Sequence, residues 1–383
     1  MIPIQVQFEP AVQVDEPQLP EGYPFNQPAF SDAEKKTLRK AGYYFLGKHH
    51  HSSVKTCLYT KKAIEGGGMC YKSTFYGIQS HRCIQMTPST PFCSLLCTFC
   101  WRPNSVYEKT WRGGVDSAGE IVEESVYAQR KLLNGLPGYE KTIKARWLER
   151  QEPWHVAISL AGEPTMYSQI AELIQHYHAY GMSTFLVTNG SFPTVLQELL
   201  DKNAMPTQLY ISLSAFDEQS YKKTNVPMIE DYWQRYNESL DFLAKVKNEH
   251  RTVLRMTLVN EWNFSHVNEY AVLIKRGQPA YVEVKAFMAV GGARERIGVK
   301  GMPLLDQIRE FAKQLAEQTG YIYCVEHAPS RVVLLCRDAQ AEKNRVIDFR
   351  AWAGKFGVEL KTGLDEQTNF PKVEKIVQKK KNR

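Results

Sequence analysis

The sequence predicts an α/β fold, a partial (β/α)6 TIM-like barrel, on three observations. Apolar strand-like runs alternate with amphipathic helical runs, six such units follow one another, and several strands end in turns carrying Gly, Asn or Ser. Strand and helix in alternation imply a parallel sheet with right-handed crossovers. Six units are too few to close an eight-stranded barrel, so an open one is expected, with its chemistry at the carboxyl ends of the strands.

The strands are expected at residues 82–86, 155–160, 184–188, 208–213, 254–259 and 282–286. The helices that follow them are expected at 118–133, 167–180, 193–200, 217–223 with 231–246, 267–275 and 304–317. Two further runs, 321–325 and 331–336, read as an antiparallel pair extending or flanking the barrel. Upstream, Ser31 with Glu34 forms a capping box that opens a helix through about Ala41. The proline-bearing residues before it read as a surface arm or a partly disordered one. The expected organisation is an arm and helix at 1–45, a cysteine-bearing segment at 46–84, the barrel at 82–320, a carboxyl-terminal extension at 321–371 and a basic tail at 372–383.

At 383 residues and 43% hydrophobic the chain can bury a substantial core. It has no run of about eighteen apolar residues, and its amino terminus is acidic and proline-rich, so neither a membrane span nor a secretory signal is expected. The expected location is the cytoplasm, where eight cysteines point to metal and redox chemistry more than to disulfides. A formal charge of +7 weakly favours an acidic partner, and the lysine-rich tail can add salt-dependent affinity for a phosphate backbone.

Cys93, Cys97 and Cys100 form a C-x3-C-x2-C triplet with Phe99 before the third cysteine. Three thiolates without a fourth ligand are one short of a tetrahedral zinc site, whereas a 4Fe-4S cluster on three cysteines keeps one iron open. Cys57, Cys70 and Cys83 recur thirteen residues apart and read as a second, again three-coordinate, set. The alternatives are core cysteines, or a zinc site completed by His81 or by one of His49, His50 and His51.

The first triplet resembles the radical S-adenosylmethionine superfamily, in which the aromatic residue flanks the adenine. The stretch from Gly47 to Pro103, with Val54-Lys55-Thr56-Cys57, Cys70-Tyr71-Lys72-Ser73, Ser80-His81-Arg82-Cys83 and Gln85-Met86-Thr87-Pro88, is similar to the archaeal tRNA 4-demethylwyosine synthases. That similarity runs from about residue 40 to about residue 340 and covers both triplets. It implies the radical SAM type of partial barrel and two 4Fe-4S clusters. It also implies S-adenosyl-L-methionine as cofactor, and condensation of N1-methylguanosine, 3′ of the anticodon of tRNA(Phe), with pyruvate. In the implied mechanism a 5′-deoxyadenosyl radical takes hydrogen from the N1-methyl group, and the methyl radical adds to the keto carbon of pyruvate. A radical enzyme acting on another RNA base or a peptide is the alternative.

Ala161-Gly162-Glu163-Pro164-Thr165 is similar to the superfamily's Gly-Gly-Glu element, with Ala161 in place of the first glycine. There Glu163 is expected to accept the ammonium of S-adenosylmethionine and Gly162 to allow a close backbone approach. Asn189, in Thr188-Asn189-Gly190, is expected to contact the nucleoside or its carboxylate, or simply to form a turn. Ser212 and Ser214 share a strand face and can bind ribose or carboxylate, or sit in the barrel without a role. Val290-Gly291-Gly292 is placed to pass the adenine, and Arg255, Lys285, Arg294 and Arg296 read as anion or tRNA contacts or as solvated charge.

Lys72 lies two residues after Cys70, so its amine belongs in the second cluster's pocket if that cysteine is a ligand. A desolvated lysine loses its proton easily and condenses with keto acids; the resemblance implies that it holds pyruvate, and a surface lysine is the alternative. Arg102, Lys109, Trp111 and Arg112, with Trp101 and Tyr107, are expected as the rim that takes the tRNA base. The chain has no segment like the flavodoxin-like domain of the family's eukaryotic members. A separate donor of flavodoxin or ferredoxin type is therefore expected, acting on a monomer. Cys324 and Cys336 match neither triplet and read as free core thiols or a hairpin disulfide.

Overall fold

The computed structural model describes residues 27–360. Most of the proline-bearing arm and all of the basic tail at 372–383 lie outside the described residues. The capping box is present: the Ser31 hydroxyl accepts from the Glu34 amide, and Glu34 accepts from the Ser31 amide at 2.8 Å, opening α1 (Asp32–Lys40).

One ten-stranded sheet organises the described residues. Its centre is six parallel strands, β3 (Cys83–Thr87), β4 (His155–Ile158), β5 (Ser183–Thr188), β6 (Gln208–Leu213), β7 (Thr252–Met256) and β8 (Tyr281–Lys285). All six expected strands are therefore found, in sequential order and with an edge left open. At one edge β1 (Tyr44–Leu46) and β2 (Ser52–Val54) form an antiparallel hairpin that the sequence reading missed. At the other, the expected pair β9 (Ile322–His327) and β10 (Val332–Cys336) is antiparallel, and β10 joins β8.

Period-two alternation assigns the two faces of the sheet. Ile84, Met86, Val156, Ile158, Leu186, Ile211, Leu254 and Val284 are fully buried on the outer face. They pack in the core that includes buried residues of α4 (Ala118–Leu132), α6 (Ile170–Ala179), α7 (Pro193–Asp201), α8 (Glu218–Asn225), α9 (Tyr232–Val246), α10 (Val267–Gly277) and α12 (Leu305–Thr319). At about 25 cal/mol per Å2 of apolar surface, these layers dominate the stability of the fold. The inner face behaves differently. Phe185, Tyr210, Val253 and Tyr281 are buried, while Val187, Ser212, Arg255 and Lys285, further along the same strands, are only half-buried. The concave side is thus filled at the amino end of these strands and open at the carboxyl end.

The filling comes from the cysteine-bearing segment, which contains two short helices that the reading did not predict, α2 (Leu58–Ile64) and α3 (Tyr71–Tyr76). Tyr71, Phe75 and Tyr76 of α3 pack with Phe185, Tyr210, Val253 and Tyr281 inside the barrel. Gly77 ends α3 in the left-handed region, at φ 81°. The remaining helices, α5 (Lys144–Glu149), α11 (Gly292–Arg296), α13 (Ala339–Lys343) and α14 (Phe349–Gly354), lie in connections or the carboxyl-terminal part.

Candidate active site

The first triplet sits in the loop after β3, held by backbone hydrogen bonds from several directions. The Cys93 amide donates to Glu108 O at 3.0 Å, Leu96 N to Val226 O at 3.0 Å and Thr98 N to Thr224 O at 2.9 Å. Arg296, on α11, donates to the carbonyls of Thr98 and Cys100. Burial first, then the charges of Glu163 and Cys100 at Cys93 and of Cys93 and Cys100 at Cys97, push these two thiols up, so three thiolates here require a cation among them. Asn189 Nδ2 lies 4.0 Å from Cys93 Sγ and 2.9 Å from Ser94 Oγ, and the Tyr107 hydroxyl lies 3.9 Å from Cys100 Sγ.

Gly162 adopts φ 65°, and a Cβ there would stand 1.9 Å from Ser89 O and 2.5 Å from Phe92 O, so no other residue fits without moving the backbone. Beside it Glu163 is buried. Its carboxylate accepts from Thr165 N at 3.1 Å, Thr165 Oγ1 at 2.6 Å and Asn189 N at 2.7 Å, with the Thr188 hydroxyl adding a further bond. Burial still raises its pKa. Glu163 thus joins the loop after β4 to the end of β5, a structural task additional to the one read from the sequence.

The second triplet is assembled from three elements. Cys57 and Cys70 occupy the N-cap positions of α2 and α3, and the Lys72 backbone amide donates toward the Cys70 sulfur. Cys83 begins β3. The three interact electrostatically: Cys57 raises both Cys70 and Cys83, and burial pushes the Cys70 thiol up to about 11. Two of the four histidines considered for a zinc site, His81 and His51, are engaged elsewhere. His81 Nε2 pairs with Glu149 at 2.7 Å, and the two ring nitrogens of His51 meet Pro88 O at 2.6 Å and Asp116 N at 2.8 Å. Among the described residues no three of His, Cys, Asp and Glu converge closely enough to share one metal ion.

Lys72 is a buried residue, not a surface one. Its ammonium lies 4.3 Å from the Tyr210 ring centroid and 5.2 Å from that of Phe185, and burial lowers its pKa. The nearby Glu283 receives the hydroxyls of Tyr71 and Tyr76, each at 2.9 Å. Arg255 Nε stands 3.8 Å from Glu283. Lys285, pushed down to about 7 by burial, donates to Ala286 O and Ser330 O.

Residues 142–274 match the radical SAM superfamily, and residues 276–337 match the family described as wyosine base formation. The S-adenosyl-L-methionine-dependent tRNA 4-demethylwyosine synthase of Pyrococcus abyssi is 44% identical over 307 residues, 79% of this chain and 87% of that protein. The chain belongs to the tRNA 4-demethylwyosine synthases. The rice synthase is 38% identical over 79% of this chain and 46% of its own length. A solved structure of TYW1 with a lysine-pyruvate adduct bound superposes with TM-score 0.73 at 33% identity, covering 84% of this chain and 99% of that one. A crystal structure of archaeal TYW1 gives 0.66 at 31%, with the same coverage.

Against that family frame, the remaining expectations divide by burial. Phe99 packs with Val259, Phe287 and Ala293 beside the first triplet. Ser212 is half-buried on the inner face, its hydroxyl donating to Thr188 O, whereas Ser214 is buried with its hydroxyl committed to Asn225. Two of the four rim residues are corrected. Arg102 is 2% exposed, stacks on Trp101 and donates to Leu160 O; Trp111 lies 4.3 Å from the Phe92 ring and packs inward. Both hold the loop down because a planar cation or indole gains more from an adjoining aromatic face than from water. Arg112 pairs with Glu108 at 2.7 Å, Lys109 is exposed, and Trp101 is 38% exposed. Gly291 and Gly292 pack on the backbone of Trp101. The reading placed Tyr107 on the rim, whereas its hydroxyl lies beside Cys100 and accepts from Gly162 N, and it missed Glu283. Glu283 had a signal, as a lone acid in the strand Tyr281–Lys285, on the face shared with Lys285. Cys324 and Cys336 are adjacent free thiols.

Proposed function

We propose that this chain condenses N1-methylguanosine of tRNA(Phe) with pyruvate to give 4-demethylwyosine, Lys72 holding the keto acid between two three-cysteine cluster sites. The observation that carries the proposal is Lys72 itself: a buried amine, lowered by burial, over the Tyr210 ring and within electrostatic reach of Cys70 and Cys83. A neutral amine is the form that attacks a carbonyl, and burial favours that form. When bound, a 4Fe-4S cluster on Cys93, Cys97 and Cys100 with S-adenosylmethionine supplies the radical that removes hydrogen from the N1-methyl group.

The chain's own residues position the partners. Gly162 leaves room beside the first triplet, Asn189 and Ser212 offer polar groups to the nucleoside, and Phe185 and Tyr210 keep water from the lysine. Cys57, Cys70 and Cys83, in segment 46–84, are read as ligands of a second 4Fe-4S cluster serving the barrel of residues 82–320. The exposed Lys109 and Trp101 are read as tRNA contacts. An external flavodoxin- or ferredoxin-type donor and a cytoplasmic monomer complete the reading. Among the described residues no helix is long and apolar enough to cross a membrane.

The test is an anaerobic reaction of reconstituted protein with N1-methylguanosine-containing tRNA(Phe), S-adenosylmethionine, reductant and pyruvate, followed by mass analysis of the nucleosides. A tricyclic nucleoside from the wild type and none from Lys72→Ala is the expected result. Cleavage of S-adenosylmethionine without any new nucleoside from the wild type would refute the substrate assignment.

A further inference from the structure

Resting on that reading of Lys72, we infer that Arg255 binds the carboxylate of the keto acid and thereby selects an α-keto acid over a neutral carbonyl compound. Arg255 is the fourth residue of β7, in register with Ser212 on one side and Glu283 on the other, so its side chain shares the barrel's inner face with Tyr210 and Lys285. The charges that act on Lys72 are those of Glu283, Arg255, Cys70 and Cys83, so the guanidinium and the amine belong to one pocket.

Glu283 does not use up this guanidinium. Its two oxygens already receive Tyr71 and Tyr76, and the approach of Arg255 is 3.8 Å, beyond a hydrogen bond. Arg255 Nε has no hydrogen-bond partner although that atom is buried, while the side chain as a whole is 29% exposed. Lys285 is the other cation at hand, but its ammonium already donates to two carbonyls. The lumen therefore offers a planar fork with free donors near the amine that takes the carbonyl, and an unpaired buried donor is costly until an acceptor arrives.

The chemistry fits the spacing of pyruvate, whose carboxylate is attached directly to its keto carbon. The Lys72 nitrogen attacks that carbon, a C=N bond forms, and the keto oxygen leaves as water with the two amine hydrogens; no electron is gained or lost. Condensation leaves the carboxylate one carbon away from the imine, on the side where a guanidinium can hold it.

The adduct can be trapped without turnover. Cyanoborohydride reduces the imine to a secondary amine, and the modified Lys72 peptide is quantified by mass spectrometry against pyruvate concentration. Arg255→Gln is expected to raise the half-saturating pyruvate concentration about tenfold or more, and Arg255→Lys to recover part of that loss. The wild type should trap pyruvate in preference to methyl pyruvate, whose ester has no charge, and Arg255→Gln should lose the preference; the wild-type half of this comparison needs no variant to fold. An unchanged pyruvate dependence in Arg255→Gln, or equal trapping of acid and ester by the wild type, overturns the assignment while leaving Lys72 in place. Absence of any Lys72 adduct in the wild type removes the keto-acid reading itself.

Discussion

The two cysteine triplets are chemically alike and structurally opposite. Cys93, Cys97 and Cys100 lie within one loop, whose shape is set by backbone hydrogen bonds to residues 108, 224 and 226 and by Arg296. Cys57, Cys70 and Cys83 come from two helix starts and a strand start, brought together only because α3 enters the barrel. The first set is a local motif fastened to the fold; the second is produced by the fold. A loop motif can serve many substrates on many barrels, whereas a site made by filling the lumen commits that lumen to one small reactant.

The sharpest way to break this comparison is to remove one cysteine from each set. Cys93→Ala is expected to abolish both S-adenosylmethionine cleavage and the tricyclic product, while Cys57→Ala should abolish the product and keep most of the uncoupled cleavage to 5′-deoxyadenosine. Iron counts and chromatography of the nucleosides and of 5′-deoxyadenosine decide it, and equal loss of cleavage in both would show one coupled site.

Gly162→Ala tests how firmly the first loop is fastened. With φ at 65° and a carbonyl 1.9 Å from the new Cβ, destabilisation on the order of 3 kcal/mol is expected together with weaker S-adenosylmethionine binding. Thermal melts and isothermal titration report the two separately.

The smallest expected effect concerns the base of the barrel, where His155 is buried, held down to about 3 by burial, accepting from Gln79 N and bonded to Ser183. The unfolded chain binds a proton there near pH 6.5 and the folded chain does not. Stability should therefore be level above that pH and fall as pH drops toward 5, by on the order of 2 kcal/mol from this residue. His155→Gln should flatten that slope in melts from pH 7 to 5, and an unaltered slope would count against a neutral buried imidazole.

What was legible in the sequence follows the same division. The six strand-helix units show themselves through period-two and helical patterning over long runs, and the first triplet through spacing within eleven residues. The hairpin β1–β2 has three residues per strand, and α2 and α3 have seven and six, too short to display a period. Their existence depends on contacts with distant strands. Arg102 and Trp111 were assigned to the rim because their chemistry suits a tRNA; the sequence carried their chemistry but not their burial. The expectation that Lys72 is a pocket residue rested on its distance from Cys70, which is local, and the residue is buried.

The bonds from Tyr71 and Tyr76 to Glu283 join residues 212 and 207 positions apart. Such long-range closures come late in folding, since the intervening chain must be ordered before they form. During synthesis the six cysteines of the two triplets emerge well before β8, the strand that carries Glu283. A nascent chain therefore holds both cysteine triplets in an unfinished vessel, and a chain stopped short of β8 would keep both triplets yet leave Lys72 without the wall that completes its pocket.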